Sequence, residues 1–309
     1  MISSVLSVAT QVVILFVIIA IGFILTKIKF ITKVGIESIT NIVLYAVTPC
    51  VIINSFQREF EVSMIYDLLI AFLIAFIVLS VSVLVAEFLY RNKGVDKAVV
   101  LKFAIVFSNC GFMGLPLQEA ILGKDGIFFG AAFLGIFNVF MWTYGIIIMS
   151  GKKDRKSILK VMLNPGIIGT IIALLFFVFK ITLPTIIATP ISIMSALNTP
   201  LPMIIIGYYL ASANLKKSFK DKDCYLAVIM RLVIIPLVVL FMLSPLHLNK
   251  TMVIAIVIAT AAPAAAMSSM MSTKYNHDTE LAVSIITVSH ILSLITIPII
   301  ISIAQMILL

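Results

Sequence analysis

Nine residues in the fourth long apolar run carry the types that could do chemistry in an otherwise greasy chain: Ser108-Asn109-Cys110-Gly111-Phe112-Met113-Gly114-Leu115-Pro116. Two glycines relax the backbone there, and a proline removes a donor and crowds the preceding turn, so a helix through this stretch is expected to break. A bilayer tolerates freed backbone groups only where protein or a water-filled cavity satisfies them. A second interruption, Ala261-Ala262-Pro263-Ala264-Ala265-Ala266, lies in the ninth apolar run. Each break leaves bare amides at the start of the second half-helix and bare carbonyls at the end of the first. The amide ends carry partial positive charge and suit an anionic group such as a carboxylate. Asn109 adds a side-chain donor and acceptor at that point. Interrupted helices at matching places in two halves of a chain point to a binding site that carries solutes across a membrane.

The elements that must position these breaks are bilayer helices. Of the 309 residues, 62% are hydrophobic and 11% charged, and the mean hydropathy is +1.23. A soluble domain of this size cannot hide that much apolar surface. A span needs about 20 mainly apolar residues, and ten runs qualify: 5–26, 36–55, 64–90, 98–122, 126–150, 158–180, 186–213, 224–244, 250–273 and 280–306. The first has no basic residue before it and no Ala-x-Ala site after it, so it reads as a retained span and not a signal peptide. Cys50, Cys110 and Cys224 lie in or beside apolar runs without metal-ligand spacing, which implies neither a disulfide framework nor a metal. The net charge of +9 invites a nucleic-acid reading, but the positions of the charges decide against it. Most of the 22 Lys and Arg fall in the loops after spans one, three, five, seven and nine. The loops after spans two, four, six and eight hold one each: Arg58, Lys124, Lys180 and Lys250. The positive-inside rule then places the odd loops in the cytoplasm and both termini outside.

The main basic loop, Lys152-Lys153-Asp154-Arg155-Lys156, divides the chain into residues 1–150 and 151–309, and the plan of the first part recurs in the second. Lys29 and Lys180 close the first run of each half 151 residues apart, as Thr48-Pro49 and Thr199-Pro200 mark the second runs; the breaks at Asn109 and Pro263 keep nearly that spacing. Five spans is an odd number, so two such halves lie in opposite orientations across the bilayer. The expected fold is an all-α integral membrane protein of ten transmembrane helices, arranged as two inverted five-helix repeats with broken helices 4 and 9 crossing near the midplane. The candidate substrate contacts are Ser108, Asn109, Cys110 and Gly111 at the first break and Ala262 and Pro263 at the second. Polar or kinked positions in other spans join them: Thr48, Pro49, Asn138, Asn198, Thr199 and Arg231. Arg231 is the basic residue well inside a span, where charge is functional by default; the alternative is a side chain snorkelling to the cytoplasmic interface. Glu119 reads as a rim carboxylate, and His290, beside Ser289 and Ser293, as a hydrogen-bonded core imidazole in preference to a proton carrier.

At these residues the chain resembles the auxin efflux carrier family, which spans prokaryotic carriers of small organic anions and the plant auxin carriers. The matching stretches are Ser108 to Pro116, Asn164-Pro165, Arg231-Leu232 with Pro236, Ala262-Pro263, Lys274-Tyr275, and Leu294 to Pro298, in order over nearly the whole chain. The resemblance implies a ten-helix inverted-repeat fold whose helices 4 and 9 cross at the site. It also implies a scaffold of spans 1, 2, 6 and 7 against which the others move, often as a homodimer. Three departures stand out. Ser108 occupies the place of a proline in plant members, span 3 lacks their acidic–basic pair, and their long cytoplasmic loop is missing. The resemblance therefore implies a small organic anion as substrate and nothing finer.

The leading reading is a secondary carrier of small organic anions in the cytoplasmic membrane, with the lipid bilayer as its other partner and no cofactor. The chain has no nucleotide-binding motif, no HExxH or GxSxG, and no span with two acids near its centre, which argues against ATP hydrolysis and intramembrane catalysis. A receptor or anchor on a transporter-like fold is the alternative from another class, and sodium or proton symport competes with uniport within the carrier class. The charge distribution has a direct test. Cysteines replacing Lys153 or Lys217 are expected to react only with reagents that reach the cytoplasm, and a cysteine replacing Lys124 to react from outside. Labelling of Lys153→Cys from outside in sealed cells would reverse the orientation.

Overall fold

The computed structural model describes residues 2–91, 94–151, 165–213, 218–219 and 223–308; Asn164, Lys153 and Lys217 of the sequence reading lie outside them. Among the described residues the architecture is helical, and β pairing is confined to an isolated antiparallel bridge between Ser108 and Ala264. In chain order the helices are α1 (Ile2–Lys27), α2 (Lys33–Phe56), α3 (Val62–Leu89), α4 (Val95–Val106) and α5 (Cys110–Ser150). They continue with α6 (Pro165–Val178), α7 (Thr185–Ser212), α8 (Asp223–Leu246), α9 (Lys250–Ala261), α10 (Met267–Lys274) and α11 (Thr279–Leu308). Seven of these are long and apolar enough to cross a membrane, and α6 and α9 are shorter apolar helices. The outward faces are apolar too: Leu69, Leu73 and Phe76 line one exposed stripe of α3. Lipid, not water, suits that surface.

Helix α5 doubles back at Gly123, whose φ of 64° and ψ of −149° only a residue without Cβ adopts readily. The returning arm packs so closely on the outgoing one that a Cβ at Gly130 would lie 1.9 Å from Oε1 of Gln118. The reversal falls in the short connection Gly123-Lys124-Asp125-Gly126 between the fourth and fifth apolar runs. The helix ends repeat as the landmarks do. Lys29 and Lys180 both adopt positive φ, 60° and 55°. At each, two amides turn back onto the last helical carbonyls: Lys29 N to Thr26 O and Phe30 N to Leu25 O, then Lys180 N to Phe177 O and Ile181 N to Phe176 O. These are the same left-handed helix terminus built twice.

The break in the fourth run is shorter than its sequence implies. The non-helical residues are Phe107, Ser108 and Asn109; the helix resumes at Cys110, so Gly111, Gly114 and Pro116 are helical. A π turn over Cys110–Gly114 explains this, because its wider ring leaves room for a proline two residues on that has no N–H and would crowd an α turn. The device recurs: the π turn Val43–Val47 precedes Pro49, and the π turn Met230–Ile234 precedes Pro236. The kink expected at Thr48-Pro49 is thus a widened turn in a continuous helix. The second break matches its expectation, with α9 ending at Ala261 and α10 starting at Met267. Every residue of α9 from Met252 to Ala261 is buried, which makes it the central rod of the bundle.

Between helices in lipid, association rests on close backbone approach more than on hydrophobic burial. Helices α1 and α7 cross at Gly22 and Gly207, where a Cβ would meet Ile204 O at 2.6 Å and Ile19 O at 2.3 Å respectively. Backbone cannot yield as a flexible side chain does. Gly207→Ala is therefore expected to lower stability in detergent by about 1–3 kcal/mol, visible as a drop in melting temperature. Gly94→Ala, whose Cβ meets open space, is expected to leave melting unchanged. Equal melting of the two variants would show that the α1–α7 crossing is not close-packed.

Candidate functional site

The two breaks meet. Asn109 N donates to Pro263 O at 2.6 Å and Ala265 N donates to Phe107 O at 3.0 Å, which forms the bridge centred on Ser108 and Ala264. Each break thereby satisfies part of the other's freed backbone. The crossing sorts the four half-helix ends by sign. The carbonyl ends of α4 and α9 converge on Arg231, which sits in the π turn of α8 and is 2% exposed. Its Nη1 donates to Ile105 O at 2.8 Å and to Val106 O at 3.3 Å, and its Nη2 donates to Thr260 O. A guanidinium lies where two helix dipoles present their negative poles, the favourable placement for a cation. Its head does not snorkel.

The amide ends are disposed differently. Residues Gly111 and Phe112 at the start of α5, and Ala266 and Met267 at the start of α10, line one cavity of about 350 Å³. The first hydrogen bonds of the resumed helix are those from Met113 N and Gly114 N to Asn109 O, so the amides of Cys110, Gly111 and Phe112 precede it. The remaining walls come from α2 (Thr40, Leu44, Tyr45, Thr48), the returning arm of α5 (Leu134, Phe137, Asn138, Met141, Trp142), the start of α6 and Tyr209 of α7. Among the described residues no Lys, Arg, His, Asp or Glu side chain lines it. The cavity offers hydroxyls, two carboxamides, backbone amides and aromatic rings.

Of the residues singled out from sequence, Thr48, Ser108, Asn109, Gly111 and Asn138 lie on the cavity wall. The other seven do not. Cys110 is buried, and Ala262 and Pro263 are buried in the second break, where Pro263 acts through its carbonyl. Pro49 faces α6, its Cα 3.0 Å from where a Cβ on Gly169 would stand. Asn198 is 1% exposed in a 3-10 turn of α7, Thr199 follows it, and Arg231 occupies the carbonyl side of the crossing. Sequence reasoning missed Thr40, Phe137, Tyr209 and Met267 and Met270 of α10, and placed Phe112 in the first break without naming it a contact. Their signal was available in part, since Thr40, Leu44 and Thr48 recur at helical spacing and Asn138, Met141 and Trp142 form one face. Tyr209 carries no such mark.

A second group supports the crossing from behind. Gln118 Nε2 donates to Ala255 O at 2.7 Å, which ties α5 to the middle of α9. Asn109 Nδ2 lies 3.2 Å from His290 Nε2, and Ala264 N donates to Ser289 Oγ at 3.2 Å. His290 is 1% exposed and hydrogen-bonded, as the core-imidazole reading expected.

Membrane-compatible helices with two breaks meeting beside a cavity define a multi-pass membrane transporter. A family model described as a membrane transport protein matches residues 7–158 and 153–301. The chain belongs to that family, the auxin efflux carriers. Among its relatives is an uncharacterized transporter of Methanothermobacter thermautotrophicus, 26% identical over 291 residues, which cover 91% of this chain and 93% of the relative. Another, from Methanocaldococcus jannaschii, is 27% identical over 271 residues, 84% of this chain and 86% of its own.

Arg231 has a measurable structural weight. Removing it leaves buried carbonyls of two helix ends without their donor, at about 1–3 kcal/mol for each group left unmade. Arg231→Met is expected to melt well below wild type in detergent. Arg231→Lys is expected to fall between, because an ammonium supplies the charge without the planar fork. Wild-type melting of Arg231→Met would show that the carbonyl ends do not depend on this side chain.

Proposed function

We propose that this chain is a secondary transporter of small organic anions, with the substrate's anionic group held at the crossing of two broken helices. The observation that carries the reading is the sorting of helix ends. The negative ends are capped by a cation built into the protein, and the positive ends line a cavity together with Asn109. An anion is the charge such a cavity lacks. With no cationic side chain on the described walls and several aromatic ones, the fitting substrate has one carboxylate on an apolar body, in preference to a dicarboxylate. The repeated termini at Lys29 and Lys180 support ten spans in two inverted repeats, residues 1–150 and 151–309. The walls come mainly from helix halves nearest the basic loops, so with those loops in the cytoplasm this conformation faces inward and alternating access closes the cycle.

Benzoate and succinate are suitable probes. Benzoate is expected to raise the melting temperature and enter proteoliposomes, and succinate to do neither at the same concentration, because a ligand stabilises the state that binds it. Binding without flux would favour the receptor reading. The sign of the site is tested at Asn109. Two unit charges about 4 Å apart repel by roughly 4 kcal/mol at an effective dielectric near 20, up to about a thousand-fold in affinity. Asn109→Ala removes hydrogen bonding alone, about 1–3 kcal/mol. Asn109→Asp is therefore expected to bind benzoate more weakly than Asn109→Ala at neutral pH and to recover in part on acidification. Equal losses without pH rescue would move the anion away from Asn109.

A further inference from the structure

Two consecutive residues of α11 hold the two breaks, one each. Ser289 Oγ accepts from the amide of Ala264 at 3.2 Å and donates its own O–H to Ile286 O at 3.0 Å. His290 meets the same carbonyl, with Nδ1 2.8 Å from Ile286 O, while Nε2 faces the carboxamide of Asn109. Ile286 O can only accept, so Nδ1 carries a proton. The state of Nε2 then decides which end of the Asn109 amide must face it. A protonated Nε2 would require Oδ1 there and would place an imidazolium at 1% exposure with a carbonyl and a carboxamide as its partners. That crossing already holds the buried cation Arg231, and among the described residues the ring's partners are Ile286 O and the Asn109 carboxamide, with no carboxylate. A bare Nε2 instead accepts from Asn109 Nδ2, the arrangement seen here, and needs no charge.

We infer that His290 is a positioning residue of the site: a neutral imidazole, protonated at Nδ1 and bare at Nε2, that accepts a hydrogen bond from Asn109 and fixes which way its carboxamide faces the cavity. An amide free to rotate through 180° exchanges a donor for an acceptor, and one whose nitrogen is held offers the cavity one fixed pattern. The inference deepens the functional reading above, since Asn109 lies on the cavity wall and His290 does not. It concerns how the site is set and not whether a proton is carried.

The test uses the whole chain in nanodiscs with ¹⁵N-labelled histidine; there are 3 histidines in the sequence, so the His290 signals are identified by their loss in His290→Gln. The expected spectrum of wild type shows His290 neutral, with Nδ1 protonated and Nε2 bare, the less common tautomer of free histidine. In Asn109→Ala the donor to Nε2 is removed, and the Nε2 signal is expected to shift while Nδ1 stays protonated on Ile286 O. A protonated Nε2 in wild type, or the same His290 signals in Asn109→Ala, would overturn the inference. Benzoate affinity supplies the functional arm. His290→Leu is expected to weaken it roughly ten-fold, the size of one lost hydrogen bond. His290→Gln, which can still present an oxygen, is expected to stay within about three-fold. In an Asn109→Ala background, His290→Leu is expected to add less than about two-fold. An equal loss with and without Asn109 would show a packing role only and overturn the positioning role. If wild type takes no benzoate, the substrate reading fails alone, because the spectra still decide the state of His290.

Discussion

The structure depends on one electrostatic arrangement, the contact of the Arg231 guanidinium with the last carbonyls of two interrupted helices. A helix broken inside a bilayer exposes a pole of each sign, and neither finds water in lipid. Where four half-helices meet, the poles can be mixed or sorted. Here they are sorted, with both carbonyl ends on one cation and both amide ends on a cavity. Fixing the cation on α8 leaves the positive ends uncompensated within the described protein, and that residual field suits a ligand of the opposite sign. The same contact that makes the breaks tolerable is the one on which the proposed anion preference rests.

Charge is only part of how the breaks are tolerated. The Ser108–Ala264 bridge lets each extended segment supply donors and acceptors to the other, so the freed backbone of one break is the partner of the second. Each break thus relies on the other for one donor and one acceptor. The prolines are handled by a different means. Widened π turns ahead of Pro49, Pro116 and Pro236 keep α2, α5 and α8 continuous where an α turn would clash. Composition marks a disturbed helix in both cases, but the disturbance is a gap in one and a swelling in the other.

That distinction explains how much was legible in the sequence. Apolar runs, their lengths and the basic loops announce a membrane helix bundle, because lipid imposes those features on every span. Asn109 and Pro263 announce the crossing, because little else accounts for such residues in mid-membrane. The sequence could not show that the gap at Asn109 is three residues and not nine, since Gly111, Gly114 and Pro116 look the same in a π turn as in a loop. It showed Arg231 as a charge in a span but not its partners, which are backbone carbonyls and carry no residue signature. Tyr209 and Phe137 reach the cavity through tertiary packing alone, where an aromatic in a span looks like any lipid-facing ring.

The packing also bears on what can move in the proposed cycle. The α1–α7 pair is joined backbone to backbone at Gly22 and Gly207, and α2 is pressed on α6 at Pro49 and Gly169, contacts too close to slide. The crossing is tied just as firmly within its own group: Arg231 of α8 holds α4 and α9, Gln118 of α5 holds α9, and Ser289 and His290 of α11 hold both breaks. The cavity lies where these groups face each other, with Thr40, Thr48 and Tyr209 on one side and Asn109, Asn138 and Met267 on the other. A rigid-body shift along that seam would open or close the cavity without breaking any of the polar contacts that hold the crossing together. The part of the proposed site built on Asn109 would travel intact, while Thr40, Thr48 and Tyr209 would stay with the opposite group.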